Sequence, residues 1–372
     1  IARYFAAAKD HLAANDRQCL RVAVLATASM RRLPNASQLA IHNALRDGLN
    51  QSAQNDFNAS RLDVRTLTNH EESSYKLAAL NYGFNRIDAH VVKAPPLPGY
   101  KFSQKLFGFK ELGDHSTQVA APPGVTYNDE EQNLAQRLRN RTKTWTRSYP
   151  DFGMERIRRL TYARIVNVGW EASRAQRAVS NPCAFYGHSE EAAEWRGTGE
   201  ASYCESFITK VVMDEQEKCM EHYDHIADAK QADAQREENC MGFPAMPYAE
   251  KFFLVSGYAD VTDFARWWLR RSGFSQDARP LAYPTANELR EAADVLCAAA
   301  WSELSAAAVD AEPAASTPAH RVPHRCFDLC YIVVLLTHGL RYKEDVAFDI
   351  PSRADVREID WVQGAFLLMP FA

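Results

Sequence analysis

Three times in the first third of the chain, a short apolar run ends in a polar turn, and this alternation restricts the fold more than any other feature. Leu20–Leu25 runs into Ala26-Thr27-Ala28-Ser29, followed by a helical pattern over Ser37–Gln51 with Leu39, Ile41, Leu45 and Leu49 at roughly helical spacing. Leu62–Leu67 leads through a polar turn into a helix over Glu71–Tyr82, with Tyr75, Ala78, Ala79 and Tyr82 on one face. Lys110-Glu111-Leu112 reads as a strand, then a tight turn through Gly113-Asp114-His115-Ser116, then a second strand through Val119. Repeated strand, turn and helix units place the chain in the α/β class.

The second half is more helical, with patterns over Asn128–Arg139, Glu155–Ala163, Glu200–Val212, Met213–Arg236, Tyr258–Arg271, Asn287–Ala308 and Cys326–Gly339. Pro313–Pro323 is a Pro/Ala-rich connector. At 372 residues the chain is long enough for two lobes with separate cores. The net charge of −4 supplies no basic field, which argues against nucleic acid as a partner. No run reaches the ~18 apolar residues of a membrane span.

Eight cysteines, seven of them from Cys183 onward, show neither a CxxC pair nor zinc spacing. A disulfide framework fits them better than scattered buried thiols, which implies an oxidising compartment. Sequons at Asn35, Asn50, Asn58 and Asn140 point the same way and suggest a glycoprotein. The expected location is the secretory pathway, an organelle lumen or the cell exterior.

Polar turns at strand ends are where α/β folds place ligands. A carboxylate beside hydroxyls and an amide can position a water and take its proton. Taken singly, Glu71-Glu72 is an ordinary acidic helix start, favoured by the dipole. Ser116-Thr117-Gln118 is equally an ordinary turn. The acidic stretch Asp214–His225 within Met213–Arg236 reads as a solvated charged face rather than a metal site.

Order and context change the reading of the turns. The run Thr68-Asn69-His70-Glu71-Glu72-Ser73 to Asn81-Tyr82 resembles the third conserved region of the nucleoside triphosphate diphosphohydrolases, the ecto-apyrase family. Ala26-Thr27-Ala28-Ser29-Met30-Arg31 resembles the second region, Glu111–Gln118 the fourth, and Asp360-Trp361-Val362-Gln363-Gly364 the fifth. Asn181-Pro182-Cys183, Gly197-Thr198-Gly199, Cys240–Phe243 and Ser256–Phe264 are similar to lesser landmarks of that family, in the same order.

The resemblance implies a two-lobed, actin-like and Hsp70-like (RNase H-like) fold, with nucleotide and Ca2+ or Mg2+ in the cleft. Residues 1–71 plus 351–372 would form lobe I and residues 72–350 lobe II. Glu72 matches the base that activates the attacking water, and Ser116 and Gln118 match the residues that hold that water. Glu111 replaces an Asp that acts on the metal through water. Thr27, Ser29, Gly113 and Asp114 fall on the phosphate-side turns, and His338, Tyr342 and Trp361 fall on the nucleotide side. Family correspondence pairs Cys297 with Cys326, Cys183 with Cys240, and Cys204 with Cys219.

The departures fall on the phosphate turns themselves. Glycines of the family's turns are replaced by Ser29, Asn69, Ser73 and Asp114, and the first phosphate loop has no counterpart in this sequence. Asn69 and Asp114 are the non-glycine types that best tolerate a left-handed backbone. A carboxylate at position 114 aimed at a phosphate would repel it by about 4 kcal/mol at ~4 Å and an effective dielectric of ~20. Two functions follow: a divergent phosphohydrolase of nucleoside tri- and diphosphates, or an inactive apyrase-fold subunit that binds protein partners in a larger assembly.

Overall fold

The computed structural model describes residues 22–53, 62–86, 106–122, 144–172, 178–190, 195–242, 251–274, 280–309, 317–352 and 360–369. The helix expected at Asn128–Arg139 lies outside these residues, as do Asn58, Asn140 and Cys19.

Parallel strands β1 (Val22–Ala26) and β2 (Leu62–Thr66) pair with each other, and helix α2 (Asn35–Ala53) packs on β2. The turn expected at Ala26–Ser29 is instead Thr27 followed by a one-turn helix, α1 (Ala28–Arg31). The amides of Met30 and Arg31 bond back to the Thr27 carbonyl and close that turn. On α2 the expected apolar face is covered at its C-terminal end, where Leu49 is buried, while Leu39 and Ile41 stand exposed.

Two short strands, β6 (Val179–Asn181) and β7 (Trp195–Gly197), pair in parallel, and the larger sheet has the order β5-β4-β3-β8. Strands β3 (Gly108–Leu112), β4 (Thr117–Ala121) and β5 (Trp145–Tyr149) are antiparallel neighbours, and β8 (Phe252–Ser256) runs parallel to β3. Side chains alternate across it. Leu112, Val119 and Leu254 enter a core built with α4 (Met154–Ala172), α5 (Ala201–His222), α7 (Gly257–Arg271), α8 (Ala286–Cys297) and α10 (Arg325–Val334). Phe109, Ala120, Phe253 and Val255 enter a second core with α3 (Asn69–Gly83) and α11 (Trp361–Leu368). The mixed α/β class expected from the sequence is what the structure shows.

The fit of α3 between sheet and α11 buries Glu71 to Asn81 without a break, so the one apolar face expected for this helix is really a helix enclosed on all sides. Gly364 of α11 makes the close approach possible, because a Cβ there would fall 1.6 Å from the Tyr75 carbonyl oxygen.

Further departures have local causes. Residues 200–236 do not break at Val212. One helix continues to His222, turns through Tyr223–Asp228, and restarts as α6 (Ala229–Asn239), with Asp228 accepting from the amides of Lys230 and Gln231. The span Asn287–Ala308 splits after Cys297, and Trp301 restarts α9 (Trp301–Val309) with its amide on the Tyr186 carbonyl.

Cys297–Cys326 is bridged as expected, but the other two bridges are Cys183–Cys204 and Cys219–Cys240. The nested pairing is replaced because α5 carries Cys204 and Cys219 far apart along its length, each beside a different neighbour. Cys330 is a buried free thiol 3.8 Å from the Cys297 sulfur. Among the described residues no helix is long and apolar enough to cross a membrane.

The turn Ala319–His324 introduces an acid-sensitive element. Burial, with Arg158 nearby as a second cause, pushes His324 down to about 3. Between pH 6.5 and about 3 the unfolded chain takes up a proton that the native ring refuses, so stability falls as the pH falls through that window. We expect a loss of about 1–3 kcal/mol from this group after allowing for its partial exposure. Unfolding midpoints of the protein and of His324→Gln, compared from pH 6.5 downward, should diverge by this amount, and parallel curves would refute it.

Candidate functional site

The site assembles on the face of the large sheet that looks toward α3. Glu111 and Gln118 are register partners on β3 and β4. Ser73 and Lys76 lie one turn apart on α3 and meet that pair. Ser73 Oγ donates to Gln118 Oε1 at 2.8 Å, and Lys76 Nζ donates to Glu111 Oε1. One turn before Lys76, Glu72 Oε2 accepts from Arg31 Nη2 at 2.7 Å, while Arg31 Nη1 donates to the Leu67 carbonyl.

The two adjacent glutamates of this helix have different duties. Glu71 closes a capping box with Thr68, and its two oxygens accept from Arg65 Nη1 at 2.9 and 3.0 Å, so it holds the helix start in place. Glu72 is instead paired with Arg31.

Ser256 completes the contacts around Glu111. Its hydroxyl donates to Glu111 Oε1 at 2.8 Å and accepts from Lys76 Nζ at 2.9 Å. It sits at φ 58°, a left-handed backbone that costs a non-glycine residue of order 1 kcal/mol. Gly257 follows because a Cβ there would lie 2.5 Å from the Leu112 carbonyl oxygen, so the strand end of β3 fixes this corner.

The turn Gly113–Ser116 is equally fixed. Gly113 N donates to the Ser116 carbonyl, and the first amides of α4 donate to the carbonyls of Gly113 and Asp114 at 3.0 and 3.1 Å. Gly153 permits this contact, since a Cβ would stand 2.4 Å from the Asp114 carbonyl oxygen. Neither Asn69 nor Asp114 adopts a positive φ, so the left-handed tolerance expected of them is not used. Asn69 is the first residue of α3, and the 113–116 turn closes with ordinary backbone angles.

The Asp114 carboxylate lies on Arg321, which grips both of its oxygens in a fork, with Nη1 to Oδ1 at 2.8 Å. His115 Nδ1 faces Glu155 at 3.7 Å. Arg32 Nη2 reaches the carbonyls of His115 and Pro150 at 3.0 and 3.1 Å, joining the end of α1 to this turn.

The remaining sequence candidates are spread around this centre. Ser116 and Gln118 are buried, with Gln118 2% exposed. Thr27 precedes α1 without a side-chain cap bond, and Ser29 is exposed. Tyr342 lies on the opposite face of the sheet, where its ring is 5.0 Å from the Lys110 ammonium, and burial pushes its hydroxyl up to about 12. Lys110, also over Phe252 at 3.7 Å, is pushed down to about 7 by burial. His338 is exposed and meets Gln216 through its carbonyl. Trp361 is half-buried at the start of α11 against the second core.

Sequence reasoning gave no role to Arg31, Lys76, Ser256 or Arg321. Arg31 ends the motif run Ala26–Arg31, and Lys76 lies four residues after Glu72, so both carried a local signal. Arg321 came from the connector, and no local pattern linked it to position 114.

The divalent cation implied by the motifs does not fit these residues. Glu111, its expected anchor through water, is already bonded by the Lys76 ammonium and the Ser256 hydroxyl. The Lys76 side chain is only 8% exposed, so its charge is weakly screened. A doubly charged ion ~4 Å from that nitrogen would be repelled by about 8 kcal/mol at an effective dielectric of ~20. Among the described residues, the group of three or more His, Cys, Asp or Glu side chains close enough to share an ion is Cys297, Cys326 and Cys330, of which two are bridged.

No curated protein sequence matches the chain. Among solved structures it is similar to a nucleoside triphosphate hydrolase from Neospora caninum, at 14% identity and TM-score 0.49 over 94% of this chain and 73% of that one. It is also similar to a Ppx/GppA phosphatase from Aquifex aeolicus, at 9% identity and TM-score 0.40 over 92% of this chain and 73% of that one. An exopolyphosphatase from Cytophaga hutchinsonii is similar at 11% identity and TM-score 0.38, over 95% of this chain and 76% of that one. Likenesses this weak do not carry an assignment. The model of the GDA1/CD39 (nucleoside phosphatase) family does, because it matches residues 1–370, and the chain therefore belongs to that family.

Proposed function

We propose that this chain is a catalytically inactive nucleoside phosphatase domain whose cleft is held by its own ion pairs and whose role is binding or structural. One observation carries this reading. Glu72, Glu111 and Asp114, the carboxylates among the candidate site residues, are paired with Arg31, Lys76 and Arg321. Members of the family are in general divalent-cation-dependent nucleotidases. Transfer of a phosphoryl group depends on positioning and on positive charge that answers the phosphate. Here the basic groups answer carboxylates of the same chain instead. The partners we propose are other proteins, in the secretory pathway, an organelle lumen or outside the cell, a setting that the three disulfides support.

The second reading, hydrolysis of nucleoside tri- and diphosphates with Glu72 as base and Ser116 and Gln118 holding the water, is favoured by a different observation. Ser73 orients Gln118 through its carbonyl oxygen, directly beside Glu72 in sequence, which leaves the Gln118 amide hydrogens to face elsewhere. Phosphate release from ATP, ADP, GTP and UDP with Mg2+ or Ca2+ separates the two. The expected result is the same background from the wild-type chain and from Glu72→Gln. Release above background that Glu72→Gln abolishes would establish a working phosphohydrolase.

A further inference from the structure

We infer that Lys76 occupies the place a divalent cation would take beside Glu111, so that this cleft carries a covalently attached monovalent charge instead of an exchangeable ion. The inference goes beyond the loss of hydrolysis, since it concerns what neutralises Glu111 whether or not the chain turns over. Its basis is the geometry of three groups from separate elements. Lys76 from α3 donates to Glu111 of β3 and to Ser256 at the β8–α7 corner, and Ser256 donates back to the same oxygen of Glu111. The ammonium therefore makes two contacts to fixed oxygens, and the carboxylate oxygen facing it accepts from both partners.

A lysine merely resting on a nearby carboxylate would lie on the surface with its nitrogen in water, as exposed pairs do. Here the lysine is 7% exposed in the middle of an enclosed helix. The left-handed Ser256 adds a second fixed oxygen. An ion-pairing carboxylate, a hydroxyl and a water-poor setting are the surroundings of a bound cation, and the ammonium fills them. The same cleft shows the pattern again at Asp114, where the Arg321 fork answers the neighbouring carboxylate.

The test uses Mn2+ as the probe, read by the loss of its free-ion electron paramagnetic resonance signal, on the full chain and on Lys76→Met, Glu111→Gln and the Lys76→Met/Glu111→Gln double variant. The wild-type chain is expected to leave the free signal unchanged. Lys76→Met is expected to take up one ion per chain and to gain thermal stability from it, and the double variant to lose both effects. Mn2+ uptake by the wild-type chain that Glu111→Gln removes would overturn the inference, and so would a folded Lys76→Met chain that takes up no ion. Where Lys76→Met does not fold, Lys76→Gln, which keeps a donor to Glu111, serves in its place. Turnover is read in none of these arms, so their failure leaves the proposed loss of hydrolysis standing, and a hydrolysing wild type that ignores Mn2+ would overturn only that proposal.

Discussion

Arg325→Met is expected to destabilise the chain by about 3–5 kcal/mol, the range for removing one partner of a buried ion pair. Arg325 is fully buried at the start of α10, with Nη1 3.2 Å from Asp328 and Nη2 donating to Thr317 at 3.0 Å. Burial is the first cause of the upward shift of the Asp328 carboxyl and of the downward shift of Arg325, so the pair does not fully offset its own desolvation. Without Arg325, the aspartate retains Arg158 at 3.5 Å as a weaker companion. Urea unfolding should therefore show a large loss for Arg325→Met and a recovery of much of it in Arg325→Met/Asp328→Leu. A single-variant cost below about 1 kcal/mol would mean that Arg158 alone satisfies the carboxylate. The result bears on the cleft, because Arg321 leads into this same segment and its grip on Asp114 needs the segment in place.

Gly364→Ala is expected to cost about 3 kcal/mol or more, the upper end of what overpacking does to a core. The added carbon would meet Tyr75 backbone, with its carbonyl oxygen at 1.6 Å and its carbon at 2.4 Å. Backbone on both helices cannot give way as a side-chain tip can, so α11 must lift away from α3. Because α11 spans only Trp361–Leu368, lifting would expose Leu367 and Leu368 and release Trp361. Thermal unfolding and limited proteolysis near residue 361 would show both effects. Gly48→Ala is the control, since its Cβ would meet nothing within 4 Å. A wild-type melting curve for Gly364→Ala would show that the two helices stand farther apart.

The parts of this fold that were legible in the sequence are those set by local chemistry. The strand–turn–strand from Lys110 to Val119 was readable because alternation and a polar turn are enough to specify a hairpin. The start of α3 was read two residues late, at Glu71, from its acidic first turn, because the capping box that Thr68 and Glu71 form opens the helix at Asn69. Motif order carried the family, and the repeated strand, turn and helix units carried the mixed α/β class that the structure shows. Helix ends at His222 and Cys297 were missed because a partner distant in sequence sets the second and a non-periodic turn sets the first. Two disulfide pairings carried over from the family failed for a related reason: half-cystines meet by how helices stack, which motif correspondence does not encode.

The site was legible in its acids and in Gln118. Glu72, Glu111 and Asp114 sit in recognisable turns. Their bases come from α1, from the interior of α3 and from a connector some two hundred residues onward, the last joining Arg321 to Asp114 at a separation of 207 residues. A basic residue in a sequence does not announce which acid it will meet. Enclosure of α3 between sheet and α11 decides the matter for Lys76, since a buried ammonium must find an anion or lose its charge.

The triangle of Lys76, Glu111 and Ser256 also gives mutational history a direction. A substitution that brings lysine to a carboxylate already neutralised by an ion exchanges one cation for another and strands nothing. The backward step is different wherever the ion is scarce, because losing the lysine leaves Glu111 alone in a water-poor place at a cost of about 3–5 kcal/mol. Losing the glutamate first strands the lysine at a similar cost. Return to an exchangeable ion therefore requires both positions, or a ready supply of the metal, at the same moment. Such a change works as a ratchet, passing easily in one direction and held by unpaired charge in the other.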